Sequence, residues 1–319
     1  MLITQKHFDK IYQENQIPYT LLVLILDNYC NASCKACIAK HVFKSPLCQS
    51  SCEKFSECKY LRCCDHTAPD EEFYASIRHV LEKINSQYIS VIVSGGEPTL
   101  SSRLKNTFDI LDEFKYKINE IKLETNGANL NDEAVKDILL KHNVKILLNR
   151  YSHKEVDNLQ EFNFTSHPVT NEDLKLFVQN YKSNLQVNTI LLKKFIPDAS
   201  VLMTVAAEMK AMGISSHGFV EILADVTLEA SNKDLMKYYT EQLITAEELH
   251  NQLLQLGVEV TQSFCNETEG TTFYKNGDLD FSVSYCKLDK KYLLAPNNFF
   301  RKFLIEPSGE IGIDGIEKE

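Results

Sequence analysis

The chain has 319 residues, 44% of them hydrophobic and 24% charged, which is too long for a disulfide-stapled miniature and enough for one large α/β domain or two small ones. Lys and Arg total 34 against 44 Asp and Glu, and the formal net charge of -10 argues against a duplex-binding surface as the main activity. No apolar run approaches the roughly 20 residues needed to span a bilayer, and the N-terminus lacks a charged-then-apolar signal ending in a small-residue cleavage site, so a cytoplasmic protein is expected.

Residues 1–19 read as an N-terminal extension too short to fold alone. The first strand is expected at 21–26 (LLVLIL) and runs directly into Cys30, Cys34 and Cys37, spaced CxxxCxxC. The following stretch, 41–67, holds Cys48, Cys52, Cys58, Cys63 and Cys64, with little apolar periodicity and no strand signal. After Pro69, "DEEFYASIRHVLEKI" places acids in a first helical turn and Phe73, Ile77, Val80, Leu81 and Ile84 on one face. A second strand, 89–93 (ISVIV), leads into "VSGGEPTL". Further strands are expected at 119–124, 144–148, 185–192 and 217–223, with helices starting at the cap Asn131 and running from Pro197 to Gly213. Strands alternating with helices are the signature of βαβ units and a parallel sheet. In the C-terminal third, Thr245 and Glu248 form a capping-box pattern for a helix ending at Gly257. Two hairpin-like stretches follow, turning at Asn276-Gly277 and Ser308-Gly309.

Eight of the ten cysteines lie between Cys30 and Cys64. In a reducing compartment such a cluster reads as metal or redox chemistry before disulfides. Three thiolates on a loop at a strand's C-terminal end fit a [4Fe-4S] cluster with one iron open to an exogenous ligand, whereas structural zinc closes all four positions. The plain alternative for Cys30, Cys34 and Cys37 is a zinc clip or buried thiols.

CxxxCxxC followed on the next strand by GGEP resembles the radical S-adenosylmethionine superfamily. The resemblance covers about residues 20–223 and implies an α/β fold, a partial (β/α)6 TIM-like barrel. The Cys-rich insertion is expected at 41–67, and 224–319 as a C-terminal antiparallel extension of helix and hairpins covering the barrel. It implies Cys30, Cys34 and Cys37 as cluster ligands. It also implies Gly95, Gly96, Glu97 and Pro98 at the cofactor, with backbone and Glu97 on the methionyl amino group of S-adenosylmethionine. "LETNGANL" is similar to the family's TNG-type turn, here Thr125, Asn126 and Gly127. Asn149, Arg150 and Ser152 follow the fourth strand and are expected near the ribose or the methionine carboxylate, and Glu221 of the sixth strand is expected to face cofactor or substrate. The implied chemistry is electron transfer from flavodoxin or ferredoxin, reductive cleavage of S-adenosylmethionine to a 5′-deoxyadenosyl radical, and hydrogen abstraction from a small metabolite or a peptide. One departure is Ala36, where relatives commonly carry an aromatic residue.

For Cys48, Cys52, Cys58, Cys63 and Cys64 three readings stay open: an auxiliary iron–sulfur cluster, a zinc site with His66 as an alternative ligand, or disulfides and free thiols. Cys265 and Cys286 are too few to complete a C-terminal cysteine array, and His153 is the one other histidine near a strand end. Two rival functions stand beside the leading one: a transfer-RNA-modifying enzyme of the same chemistry, and a non-catalytic zinc or iron–sulfur protein.

Overall fold

The computed structural model describes residues 2–3, 6, 8–9, 18–37, 68–221, 233–265, 269–286 and 300–314. The insertion with Cys48, Cys52, Cys58, Cys63, Cys64 and His66 lies outside the described residues, so its metal assignment rests on sequence alone. Among the described residues, no helix is long and apolar enough to cross a membrane.

Among the described residues twelve strands form one sheet. They are β1 (Leu2–Ile3), β2 (Tyr19–Ile25), β3 (Tyr88–Ser94), β4 (Glu120–Thr125), β5 (Lys145–Arg150), β6 (Leu185–Leu191), β7 (Ser216–Glu221), β8 (Glu259–Cys265), β9 (Glu269–Asn276), β10 (Leu279–Cys286), β11 (Phe300–Ile305) and β12 (Ile311–Asp314). Strands β2 to β7 lie side by side in chain order and every pair is parallel, giving the curled half-barrel of a partial (β/α)6 TIM-like architecture. The C-terminal strands extend this sheet at both edges. The β9–β10 hairpin joins through β10 parallel to β7, and the β11–β12 hairpin joins through β11 parallel to β2.

Among the described residues the α-helices are α1 (Asp70–Lys83), α2 (Leu104–Glu113), α3 (Glu133–Lys141), α4 (Glu155–Phe162), α5 (Asn171–Tyr181), α6 (Ala199–Ala211), α7 (Lys233–Gln242) and α8 (Ala246–Gln255). The expected cap at Asn131 shifts by one residue, because it is the Asp132 carboxylate that accepts from the Ala134 and Val135 amides. Helices α2, α4, α5 and α7 were not anticipated, although the Thr170…Asp173 capping box of α5 is a readable start signal.

Strand alternation explains how the layers form. Leu22, Leu24 and Leu26, Ile89, Val91 and Val93, Ile146 and Leu148, and Phe219 belong to one buried apolar core with Phe73, Ile77, Phe108 and Leu202 of the helices. The intervening residues are polar on several strands: Ser90 and Ser94, Glu120, Lys122 and Glu124, Asn149, and Asn188. Lys122 and Lys145 both pair with Glu120 across this second face, and Ser94 donates to Glu124 at 3.0 Å. One face is therefore a dry core and the other a hydrogen-bonding surface. At the β7 edge, Phe219 meets Phe281 edge-on at 5.9 Å and Phe281 stacks on Tyr274 at 5.4 Å, so the hairpin shares the barrel's core.

His217 is 5% exposed on β7, its Nε2 2.8 Å from Thr189 Oγ1 and its Nδ1 without a partner. Burial pushes its pKa down to about 3. The unfolded chain takes up this proton near the ordinary histidine value of about 6.5, so the native state binds fewer protons between the two values. The histidine's contribution is present above that range and is lost as pH falls through it. The urea midpoint should drop between pH 7 and pH 5, and His217→Gln should flatten that dependence; an unchanged pH profile in the variant contradicts this assignment.

Candidate active site

The cysteine loop, residues 26–37, leaves the C-terminal end of β2, the end at which open α/β sheets and barrels place ligands. It is held from two sides. On one side Gly96 N donates to Asp27 O at 2.9 Å and Glu97 N to Tyr29 O at 2.7 Å. On the other, Asn31 is fully buried, its Nδ2 donates to the carbonyls of Ser166 and His167, and its own carbonyl accepts from Thr165. Ser33 N adds a bond to Phe162 O at 2.8 Å. The loop is thus fixed by backbone hydrogen bonds and by the buried Asn31 side chain.

Cys30, Cys34 and Cys37 are half-buried on this loop and form no disulfide. Cys30 Sγ accepts from Ala32 N at 3.3 Å and from Asn126 Nδ2 at 3.6 Å. The Tyr151 phenol is held well above its ordinary pKa by burial first and by the neighbouring Cys34 and Cys37 second. Ala32, Ala36, Tyr151, Phe162, Leu192 and Tyr239 form a second apolar cluster against which Cys30 and Cys34 pack. Ala36 accepts a hydrogen bond at its carbonyl from the Tyr239 hydroxyl of α7. Helix α7 is secured there by Tyr238, which donates to the buried Glu161 at 2.6 Å. Among the described residues no three His, Cys, Asp or Glu side chains gather around a point suited to a single metal ion.

The Gly95–Pro98 turn follows β3 and packs on the loop at backbone distance. A Cβ on Gly96 would lie 2.1 Å from Tyr29 O, and one on Gly95, whose φ is +147, would lie 2.7 Å from Asp27 O. Only glycine fits here. Glu97 is completely buried and caps the 3-10 turn Pro98–Leu100. Its Oε1 accepts from Thr99 N, Thr99 Oγ1 and Thr125 Oγ1 at 3.1, 2.6 and 2.6 Å, and its Oε2 accepts from Asn126 N at 2.7 Å. Burial raises its pKa and these donors oppose the rise. The carboxylate expected to meet the cofactor's amino group thus spends its recorded bonds on joining the β3 and β4 turns.

The other expected residues divide in the same way. Thr125 is committed to Glu97, and Ser152 donates to Asp157 at 2.8 Å at the start of α4. Asn126 is 8% exposed and bridges Glu97, Asn31 and Cys30. Asn149 is half-buried on the polar face, in register with Asn188 of β6, and Glu221 is buried at the end of β7. Arg150 is 1% exposed, donates through Nη2 to Asn171 Oδ1 at 2.8 Å, and leaves Nε without a partner. Burial lowers its pKa to about 10, with Glu155 opposing. A buried guanidinium with an unused donor suits an anion such as a carboxylate. Three half-buried thiols on one loop are a donor set that suits a thiolate-ligated cluster.

Cys265 and Cys286 end β8 and β10 and are paired with Gly270 and Glu269 of β9. His153 lies 3.3 Å from Glu208. Asn31 and Tyr151 were missed by sequence reasoning; a polar residue inside a cysteine motif is the only signal that pointed to Asn31.

No protein-family profile and no curated protein matches the sequence. Among solved structures the chain is similar to Streptococcus suis SuiB bound to S-adenosylmethionine, with a TM-score of 0.55 at 14% identity over 96% of this chain and 63% of SuiB. SuiB bound to its precursor peptide SuiA gives 0.55 at 14% identity over 96% and 62%. Escherichia coli HemN, a coproporphyrinogen III oxidase described as a radical SAM enzyme, gives 0.49 at 12% identity over 80% and 55%. The chain has the radical SAM fold and spans slightly less than two thirds of the length of SuiB.

Gly96→Ala should cost about 3 kcal/mol, the upper part of the overpacking range, since the new methyl overlaps backbone that cannot swing away. Urea denaturation of the metal-free chain checks this, and wild-type stability would show that the turn and loop do not dock as described.

Proposed function

We propose that this chain is a radical S-adenosylmethionine enzyme, with Cys30, Cys34 and Cys37 holding a [4Fe-4S] cluster. The observation that carries the reading is the docking of the three-cysteine loop on the Gly95–Glu97 turn at the mouth of the half-barrel. When bound, cluster and cofactor supply the hard step, reductive cleavage of S-adenosylmethionine to a 5′-deoxyadenosyl radical. The chain's own residues bind and orient. Gly95 and Gly96 let their turn dock on the cysteine loop, Arg150 offers its unused Nε to the methionine carboxylate, and Asn149 offers an amide from the polar face of the sheet. Glu97 and Thr125 keep the two turns in register, and Tyr151, Phe162 and Tyr239 keep water from the thiol side.

A peptide or a small polar metabolite is the substrate class assigned. The polar face of β3 to β6 supplies hydrogen-bonding groups for either, and the likeness in fold to SuiB in complex with its precursor peptide favours the peptide. The reductant assigned is flavodoxin or ferredoxin.

Anaerobically reconstituted, dithionite-reduced protein should form 5′-deoxyadenosine from S-adenosylmethionine, and Cys34→Ala should abolish it; turnover by the variant, or none by the wild type, overturns the reading. Arg150→Met should weaken S-adenosylmethionine binding by about tenfold or more, the loss of one charge-assisted hydrogen bond. Equilibrium dialysis on the reconstituted protein reads this, and unchanged affinity removes Arg150 from the cofactor site.

A further inference from the structure

Asn126 has a task that its turn alone does not require. Its Oδ1 accepts from Ala128 N at 3.0 Å, which closes the local turn. Its Nδ2 reaches back across 95 residues to Asn31 Oδ1 at 2.8 Å and to Cys30 Sγ at 3.6 Å. The orientation of this amide is fixed by its surroundings. The Ala128 amide claims the oxygen, and Asn31, whose own Nδ2 is spent on the Ser166 and His167 carbonyls, must present its oxygen to Asn126. The backbone at Asn126 is held in turn by its N–H bond to the buried Glu97 carboxylate at 2.7 Å. A buried, doubly constrained N–H dipole is therefore aimed at one thiol, which also accepts from Ala32 N.

We propose that Asn126 is a positioning residue that sets the reduction potential of the cluster through a hydrogen bond to Cys30. This rests on the assignment of Cys30, Cys34 and Cys37 as iron ligands made above. Reduction takes one electron from a low-potential donor and turns [4Fe-4S]2+ into [4Fe-4S]+, with no bond broken and no proton moved at Asn126. The added negative charge is spread over iron and sulfur, and an N–H pointing at a ligand sulfur stabilises the reduced form more than the oxidised one. Asn126 is 8% exposed, and low exposure strengthens that effect. The bond accordingly makes the cluster easier to reduce, and Glu97 acts at one remove by holding Asn126.

The test is an EPR-monitored dithionite titration of the full chain, reconstituted with iron and sulfide under argon and without S-adenosylmethionine. Wild type, Asn126→Ala and Asn126→Ser are compared, with Asn129→Ala as control, because Asn129 donates to Thr99 O in the same region. Both Asn126 variants should retain the iron content and circular dichroism of wild type and accept the electron at a more negative potential. Asn129→Ala should titrate with wild type. If Asn126→Ala does not fold, Asn126→Ser decides, since its hydroxyl can still serve the Ala128 amide but is too short to reach Cys30. Equal midpoints for wild type and the Asn126 variants overturn the proposal and leave the iron ligands as assigned. A wild-type chain that takes up no iron–sulfur cluster, or a Cys30→Ala chain that holds it unchanged, overturns the ligand assignment and the proposal with it.

Discussion

Two backbone hydrogen bonds, from Gly96 to Asp27 and from Glu97 to Tyr29, press the turn after β3 onto the cysteine loop, and the rest of the site is organised around that contact. It demands glycine twice, because any side chain would enter the carbonyls of Asp27 or Tyr29. It also places Glu97 in the interior, where an unpartnered carboxylate would be costly. Four donors from Thr99, Thr125 and Asn126 meet that cost and draw the β4 turn into the same unit. Three consecutive features of the half-barrel, the loop after β2 and the turns after β3 and β4, are thereby fixed relative to one another before any ligand arrives.

The sheet supplies what this unit needs. One face of β2 to β7 is apolar and packed on helices, so the strand ends are rigidly spaced. The opposite face carries Ser94, Glu124, Asn149 and Asn188, groups suited to orienting a polar molecule. The hairpins β9–β10 and β11–β12 continue the sheet at its two edges, and the aromatic contacts of Phe219, Phe281 and Tyr274 make the β7 junction part of the core. Helix α7 brings Tyr238 and Tyr239 to the far side of the thiols, beside Tyr151 and Phe162.

Much of this was legible in the chain. Short β-branched runs such as ISVIV and VKILL marked all six parallel strands to within a few residues, because a sheet covered by helices selects such runs strongly. GGEP was legible because close backbone approach leaves few residue choices, and CxxxCxxC because three cysteines so closely spaced stand out in any chain. The role of Glu97 was not, since a sequence shows a carboxylate without showing which N–H groups converge on it. Asn31 was hidden for the same reason, its partner Asn126 lying 95 residues away along the chain. The placement of the C-terminal hairpins at opposite edges depends on pairing between β10 and β7 and between β11 and β2, and long-range pairing of that kind leaves no local pattern.

Mössbauer spectroscopy of iron-reconstituted protein, with and without S-adenosylmethionine, tests the central claim most directly. Three cysteine ligands leave one iron of a four-iron cluster open, so the signal of one iron in four should change when the cofactor is added and the others should stay as they were. A spectrum that does not respond to the cofactor, or a protein that binds zinc and no iron, would contradict the account.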